Sequence, residues 1–181
     1  MKERYDITTR GDISYIHIKQ RNGETHDILV DTWNLDRVIN FKYKWYVCYY
    51  KNPNTFYARS TIYKGVDNGK IKNEPILLHR FLLQKFNPDS IDHKNYNGLD
   101  NREENLRMTD YQKNSKNRET RNSNNTSGYR NVIRINGYWR VQLQIDGKSY
   151  FFPEKFTDVD DAGVFAEQMR QKHYGEFAGH K

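Results

Sequence analysis

Two short turn signals bracket one strand in the last third of the chain, and together they leave it little freedom. Asn136-Gly137 precedes "YWRVQLQI" (138–145), and Asp146-Gly147 follows it. Asn-Gly and Asp-Gly favour two-residue hairpin turns, because both central residues must take positive φ. Between the turns the residues alternate: Trp139, Val141, Leu143 and Ile145 on one face, Tyr138, Arg140, Gln142 and Gln144 on the other. The pattern predicts a three-stranded antiparallel meander over 129–135, 138–145 and 148–152. "FTDVDDAGVFAEQMRQKHYG" (156–175) follows, with Thr157 as the expected N-cap, acids in the first turn and Gly175 at the stop. Ala162, Phe165, Ala166 and Met169 form its apolar stripe. Three strands do not stand alone in water, so this helix must cover the Trp139 face.

The opposite face is then left to solvent or to a partner. Between 121 and 156 six Lys or Arg face only two acids. Arg and Gln read guanine and adenine edges in the DNA major groove, and they also simply solvate an exposed sheet; the residues alone allow both. Arg130, Arg134, Arg140, Gln142 and Gln144 are the outward candidates.

Upstream, "ISYIHIK" (13–19) and "HDILVD" (26–31) read as strands joined by the turn "RNGE". "KWYVCYY" (44–50) and "TFYARSTIY" (55–63) read as two more, split by "KNPN", and "NLDRVINF" (34–41) as a short helix. The fold class is therefore α+β, with a β-rich segment over 1–75, a central block over 76–118, a linker over 119–128 and a sheet-plus-helix domain over 129–181. The linker "ETRNSNNTSG" holds no apolar residue.

The chain has 181 residues, a net charge of +7 and one cysteine, Cys48. A lone cysteine excludes an internal disulfide and a cysteine-based zinc site. The charge suits nucleic acid, an acidic membrane surface or no partner at all. No stretch reaches the roughly 18 apolar residues of a membrane span, and "MKERYDITTR" lacks a signal-peptide core, so a cytoplasmic location is expected.

The central block gathers Asp92, His93, Asn105 and Asn114 within 23 residues, in "SIDHKNYNGLDNREENLRMTDYQKN" (90–114). "SIDH" and "LRMT" read as short strands around a turn-rich loop, with Asn97-Gly98 and Asp100-Asn101 as turn formers and Thr109 capping a following helix. Asp92 and Asn114 both offer hard oxygens suited to Mg²⁺ or Mn²⁺. His93 could take a proton from water, and Asn105 could tie the loop to backbone. An ordinary Asn-rich loop has the same composition.

"LLHRFLL…SIDHKNYNGLDNREENLRMTDYQKNSKN" resembles the HNH (ββα-metal) nuclease motif of phage and intron-encoded homing endonucleases. The resemblance implies His93 as general base, Asn105 as the loop-holding asparagine, and Asp92 with Asn114 around one divalent cation, Mg²⁺ or Mn²⁺. His79 and Arg80 match the family's His-Arg pair, with both packing and phosphate contact open to His79. "SGYRNVIRINGYWRVQLQIDGKSYFFPEKFTDVDDAGVFAEQMRQKHYGEFA" resembles the ethylene-response-factor (apetala-type) DNA-binding domain, which lays its sheet in the major groove. That implies Arg130, Arg134, Arg140, Gln142, Gln144 and Phe151 as DNA contacts, with Asn131 standing where the family has glycine. The upstream segment is similar to the leader of phage nucleases; Arg59 or Lys64 could touch phosphates, or the segment could be scaffold only. The joint expectation is a monomeric, site-specific DNA endonuclease that nicks one strand of a double-stranded target, in a bacterial host cell if phage-encoded. The alternatives are a DNA-binding regulator with an inert HNH motif, or an RNA-binding protein.

Overall fold

The computed structural model describes residues 4–51, 54–84, 90–109 and 124–179. The fold is α+β, built from small antiparallel sheets, and the chain divides into two compact units, Met1–Thr109 and Asp110–Lys181.

In the first unit β1 (Asp6–Arg10), β2 (Ile13–Lys19) and β3 (Thr25–Asp31) form a meander, with Gly23 at positive φ in the expected second turn. A 3₁₀ turn (Thr32–Asn34) and α1 (Leu35–Ile39) lead to a second sheet. Its strands are β4 (Tyr46–Tyr50), β5 (Thr55–Asp67) and β6 (Lys70–Leu77), in that order. β5 is longer than the expected 55–63, and β6 was not expected. Asn68-Gly69, both at positive φ, makes another two-residue turn, and a bulge at Gly65 shifts the register. The boundary placed at 75 falls inside β6, whose Ile76 packs with Leu78 and Leu82 of α2 (Leu78–Leu83). Segment 1–75 thus shares one core with the central block.

That core joins Ile16, Ile28 and Val30 of the first sheet to Val47, Ala58 and Ile76 of the second, around a fully buried Trp45. The Trp45 indole N–H donates to Val38 O (3.0 Å), and its backbone N–H donates to the Tyr5 hydroxyl (2.8 Å). Leu99 inserts into the same core from the loop between β7 (Ser90–His93) and β8 (Leu106–Thr109). The helix expected after Thr109 lies outside the described residues.

In the second unit β9 (Val132–Ile135), β10 (Tyr138–Ile145) and β11 (Lys148–Phe151) form the expected meander. Asn136, Gly137, Asp146 and Gly147 all take positive φ, and the pairs Ile135–Tyr138 and Ile145–Lys148 close two-residue turns. The first strand is shorter than 129–135, because Asn131 takes φ 66° and breaks the extended run. Asparagine tolerates this left-handed conformation where most side chains do not. Beyond β11 the chain loops out and Phe156 pairs again with Trp139 (2.8 and 3.0 Å).

The helix α3 (Val159–Tyr174) is capped by Asp158, not by Thr157: the Asp158 carboxylate accepts from Asp160 N (2.6 Å) and Asp161 N (3.3 Å). Its Ala162 and Ala166 meet Val132, Val141, Leu143 and Phe152 in a second core. Gly163 lies so close to the Tyr129 ring that a Cβ there would sit 2.4 Å from it. Residues 124–128 of the expected linker belong to this unit; Ser127 is buried and its hydroxyl donates to Val132 O (2.9 Å). No helix among the described residues is long and apolar enough to cross a membrane.

Candidate functional site

The loop from Lys94 to Asn105 owes its shape to its asparagines and aspartates. Asn95 Oδ1 accepts from Asn97 N (3.0 Å) and Asn97 Oδ1 from Leu99 N (3.0 Å). Such side-chain turns let Asn and Asp replace regular backbone pairing. Asn105 closes the loop: its Oδ1 accepts from Asn95 N (3.0 Å) and its Nδ2 donates to Asp100 O (2.8 Å). Within the loop Tyr96 takes positive φ (62°), one residue before the turn-forming Asn97-Gly98 pair. Glycine at 98 is required by close approach, since a Cβ would sit 2.4 Å from Phe56 O and 2.6 Å from the Tyr57 ring.

The first sheet braces the loop from outside. Leu29 of β3 pairs with Asp100 in a parallel bridge, donating to Leu99 O (2.9 Å) and accepting from Asn101 N (2.8 Å). Asp31 Oδ2 accepts from Glu103 N (2.8 Å). Arg102 grips the buried Asp100 carboxylate through Nε (2.8 Å) and Nη2 (2.7 Å). Burial pushes this carboxyl up, but the Arg102 bonds prevail and hold it below its ordinary range.

Inside this frame sit three rings. His93 ends β7, His79 comes from α2 and Tyr57 from β5. Ring centroids are 5.0 Å apart for His79–His93, 5.5 Å for Tyr57–His93 and 5.7 Å for Tyr57–His79. Both imidazoles are about 4% exposed. Burial, then the charges of His93 and Arg80, lowers His79 to about 3. Burial lowers His93 to about 4, against Asp100 and Asn101, which favour the protonated ring. Burial, then the Asp92 and Tyr50 charges, raises Tyr57 to about 12. At neutral pH both imidazoles are therefore uncharged. His93 Nε2 and His79 Nδ1 are sealed from solvent without a hydrogen-bond partner among the described residues.

Asp92 is buried beside His93 in sequence and directly opposite Arg107 across β7 and β8. Arg107 donates to Asp92 Oδ2 through Nε (2.8 Å) and Nη2 (2.7 Å). Asn114, the other expected ligand, lies outside the described residues. Among the described residues no three His, Cys, Asp or Glu gather as a metal cluster. His79, His93 and Asn105 are thus brought to one place. Tyr57 joins the two rings without having been singled out in the sequence, Asn101 was expected only as a turn former, and Arg107 pairs with Asp92. Tyr57 lies 36 positions before His93 and carries no local signal. Arg107 could have been found only by knowing the register of β7 against β8.

The second unit offers a separate surface, the face of its sheet turned away from α3. Arg140, Gln142 and Gln144 lie on it, and Phe151, opposite Gln142, is 44% exposed there. Arg140 is braced, with Nη2 donating to Phe152 O (2.8 Å). Gln142 Nε2 donates to the Ser149 hydroxyl, and Gln144 is exposed. Asn124–Thr126 and these strands enclose a cleft of about 530 Å³, lined also by Asn131 and Ser149. Two expected contacts lie elsewhere. The two-residue turn sets Arg134 opposite Trp139, so it shares the helix-side face, with its guanidinium 5.4 Å from the Trp139 ring centre. Arg130 precedes β9 and reaches Ala178 O (3.5 Å), past the 3₁₀ turn (Gly175–Phe177) that follows α3. In the first unit Lys64 pairs with Glu74 (2.8 Å), and Arg59 is half-buried in β5.

No protein-family model, no curated protein and no solved structure matches the chain.

Proposed function

We propose that the chain is a metal-dependent, site-specific DNA endonuclease of the HNH homing type, nicking one strand, with the outer sheet face of the second unit reading the target. The observation that carries this reading is His93: a buried, uncharged imidazole whose Nε2 has no partner among the described residues, one position along β7 from Asp92, at the head of a loop locked by Asn105.

In this reading His93 accepts a proton from water. The water oxygen bonds to phosphorus, the bond to the 3′ oxygen breaks, and that oxygen takes a proton from solvent. Burial makes His93 a weak base in the free protein. An approaching phosphodiester favours the protonated ring and strengthens it. Asp92 suits a hard divalent cation, being a carboxylate oxygen donor, and Asn114 would add an amide oxygen. Mg²⁺ or Mn²⁺ bound there would stabilise charge building on the phosphate and the leaving oxygen. His79 and Tyr57 pack around His93 and keep bulk water from the ring.

A second reading, a DNA-binding regulator whose nuclease motif is inert, draws on Arg107. Its guanidinium already neutralises Asp92, and a cation would compete with it for Oδ2. Supercoiled plasmid carrying the DNA that flanks the coding sequence, incubated with Mg²⁺ or Mn²⁺, separates the two. The endonuclease yields open-circle product that EDTA abolishes and that His93→Ala reduces by roughly 10²–10⁴-fold. Binding with no metal-dependent nicking supports the regulator, and undiminished nicking by His93→Ala removes the mechanism.

A further inference from the structure

Asn101, like Asp100 before it, is only 1% exposed. Its Oδ1, like His93 Nε2, is sealed from solvent and lacks a partner of hydrogen-bond geometry among the described residues. An unpaired buried donor or acceptor costs about 1–3 kcal/mol, so two beside each other call for an explanation. They are chemically complementary: a ring N–H donates and an amide oxygen accepts. The carboxamide cannot reverse without loss, because its Nδ2 donates to Leu99 O (3.0 Å), which leaves Oδ1 as the end available to the imidazole. Asn101 also counts among the groups that favour the protonated His93 ring, which places the two side chains within reach of each other.

We infer that Asn101 is a positioning residue for the reaction proposed above: its Oδ1 accepts from His93 Nε2–H, fixes that tautomer, and leaves Nδ1 to take the proton from water. The role assigned to Nδ1 rests on the nuclease reading; the hydrogen bond does not. An amide suits this place better than a carboxylate, because Asp100 next to it is already a buried anion that Arg102 must neutralise. A second anion there would raise the charge buried beside the ring.

The backbone holding Asn101 is not set by the loop alone. Its amide donates to Leu29 O (2.8 Å), and Leu29 N returns to Leu99 O (2.9 Å). Strand β3 therefore fixes the residue that orients the imidazole. The amino-terminal sheet, to which the sequence assigned no chemistry, becomes part of the site.

The test begins with ¹⁵N NMR of the His93 ring in the full, unsubstituted chain at neutral pH. A pyridine-type Nδ1 with a protonated Nε2 is expected; a protonated Nδ1 overturns the inference. In the nicking assay Asn101→Ala lowers kcat by roughly 10–100-fold, the range for groups that orient a reacting ligand, with KM little changed. Asn101→Asp keeps an acceptor but loses the donor to Leu99 O and adds a second anion beside Asp100, so it restores the rate only in part. A folded Asn101→Ala protein with undiminished kcat overturns the positioning role. An Nε2–H tautomer in a protein that nicks no DNA with either metal upholds the hydrogen bond and sinks the nuclease reading.

Discussion

A methyl group at Gly98 would meet the Phe56 carbonyl oxygen at 2.4 Å, and that oxygen belongs to a strand that cannot step aside. Gly98→Ala should therefore cost about 1–3 kcal/mol, the usual penalty for overpacking, read as a lower urea midpoint at constant slope. The same change should lower nicking more than it lowers DNA binding, because it lifts the loop that carries Asn101 and Asn105. At this scale the sequence was informative where a residue's role is local. Asp-His on a strand end and Asn105 at the close of an Asn-rich loop could be picked out by spacing. Asn101 could not, because its meaning comes from Leu29, a partner 72 positions away. Arg107 stayed hidden for a related reason. The loop between β7 and β8 is too long to fix which residues face each other.

The elements divide by how their registers are set. In the second unit two-residue turns fix every cross-strand pair, and the meander was legible almost residue by residue. The same geometry sorts the proposed DNA contacts by face. Positions 134 and 139 are opposite one another, so Arg134 must share the Trp139 face, a parity that follows from the turn length itself. Gln144→Ala should consequently cost about 1–3 kcal/mol against a preferred DNA sequence and relax selection at one base pair. Arg134→Ala should leave that selectivity unchanged. Competition binding across a randomised site measures both, and equal loss of selectivity from the two variants would dismiss the outer face as the reader. The β5–β6 hairpin was missed because its outer half is rich in Lys, Asn and Gly and shows no apolar alternation. Asn68-Gly69 was its one clear signal. The N-cap fell to Asp158, one residue beyond Thr157, because consecutive Thr and Asp offer two acceptors and only backbone direction chooses between them.

For the molecule as a whole, the buried His79 ties stability to pH. Its folded pKa of about 3 lies below the ordinary value of 6.5. As pH falls below about 6.5 the unfolded chain takes up the proton first, so stability is complete above that value and declines towards pH 3. At pH 5 the loss from this one imidazole is about 2 kcal/mol relative to pH 7. Urea unfolding at the two pH values checks it: His79→Phe should show a visibly shallower decline than the parent chain, and an identical decline would mean the ring is not held neutral.

The bridge between Leu29 and Asp100 has a bearing on timing. It closes a span of about 70 residues, at an entropic cost of roughly 4 kcal/mol beyond any fixed term. A growing chain exposes β3 long before its partner is made, so the pocket around His93 cannot mature until that late segment arrives and docks. The dependence also runs in reverse: whatever peels the amino-terminal strands away dissolves the pocket, even while the carboxy-terminal unit is still intact.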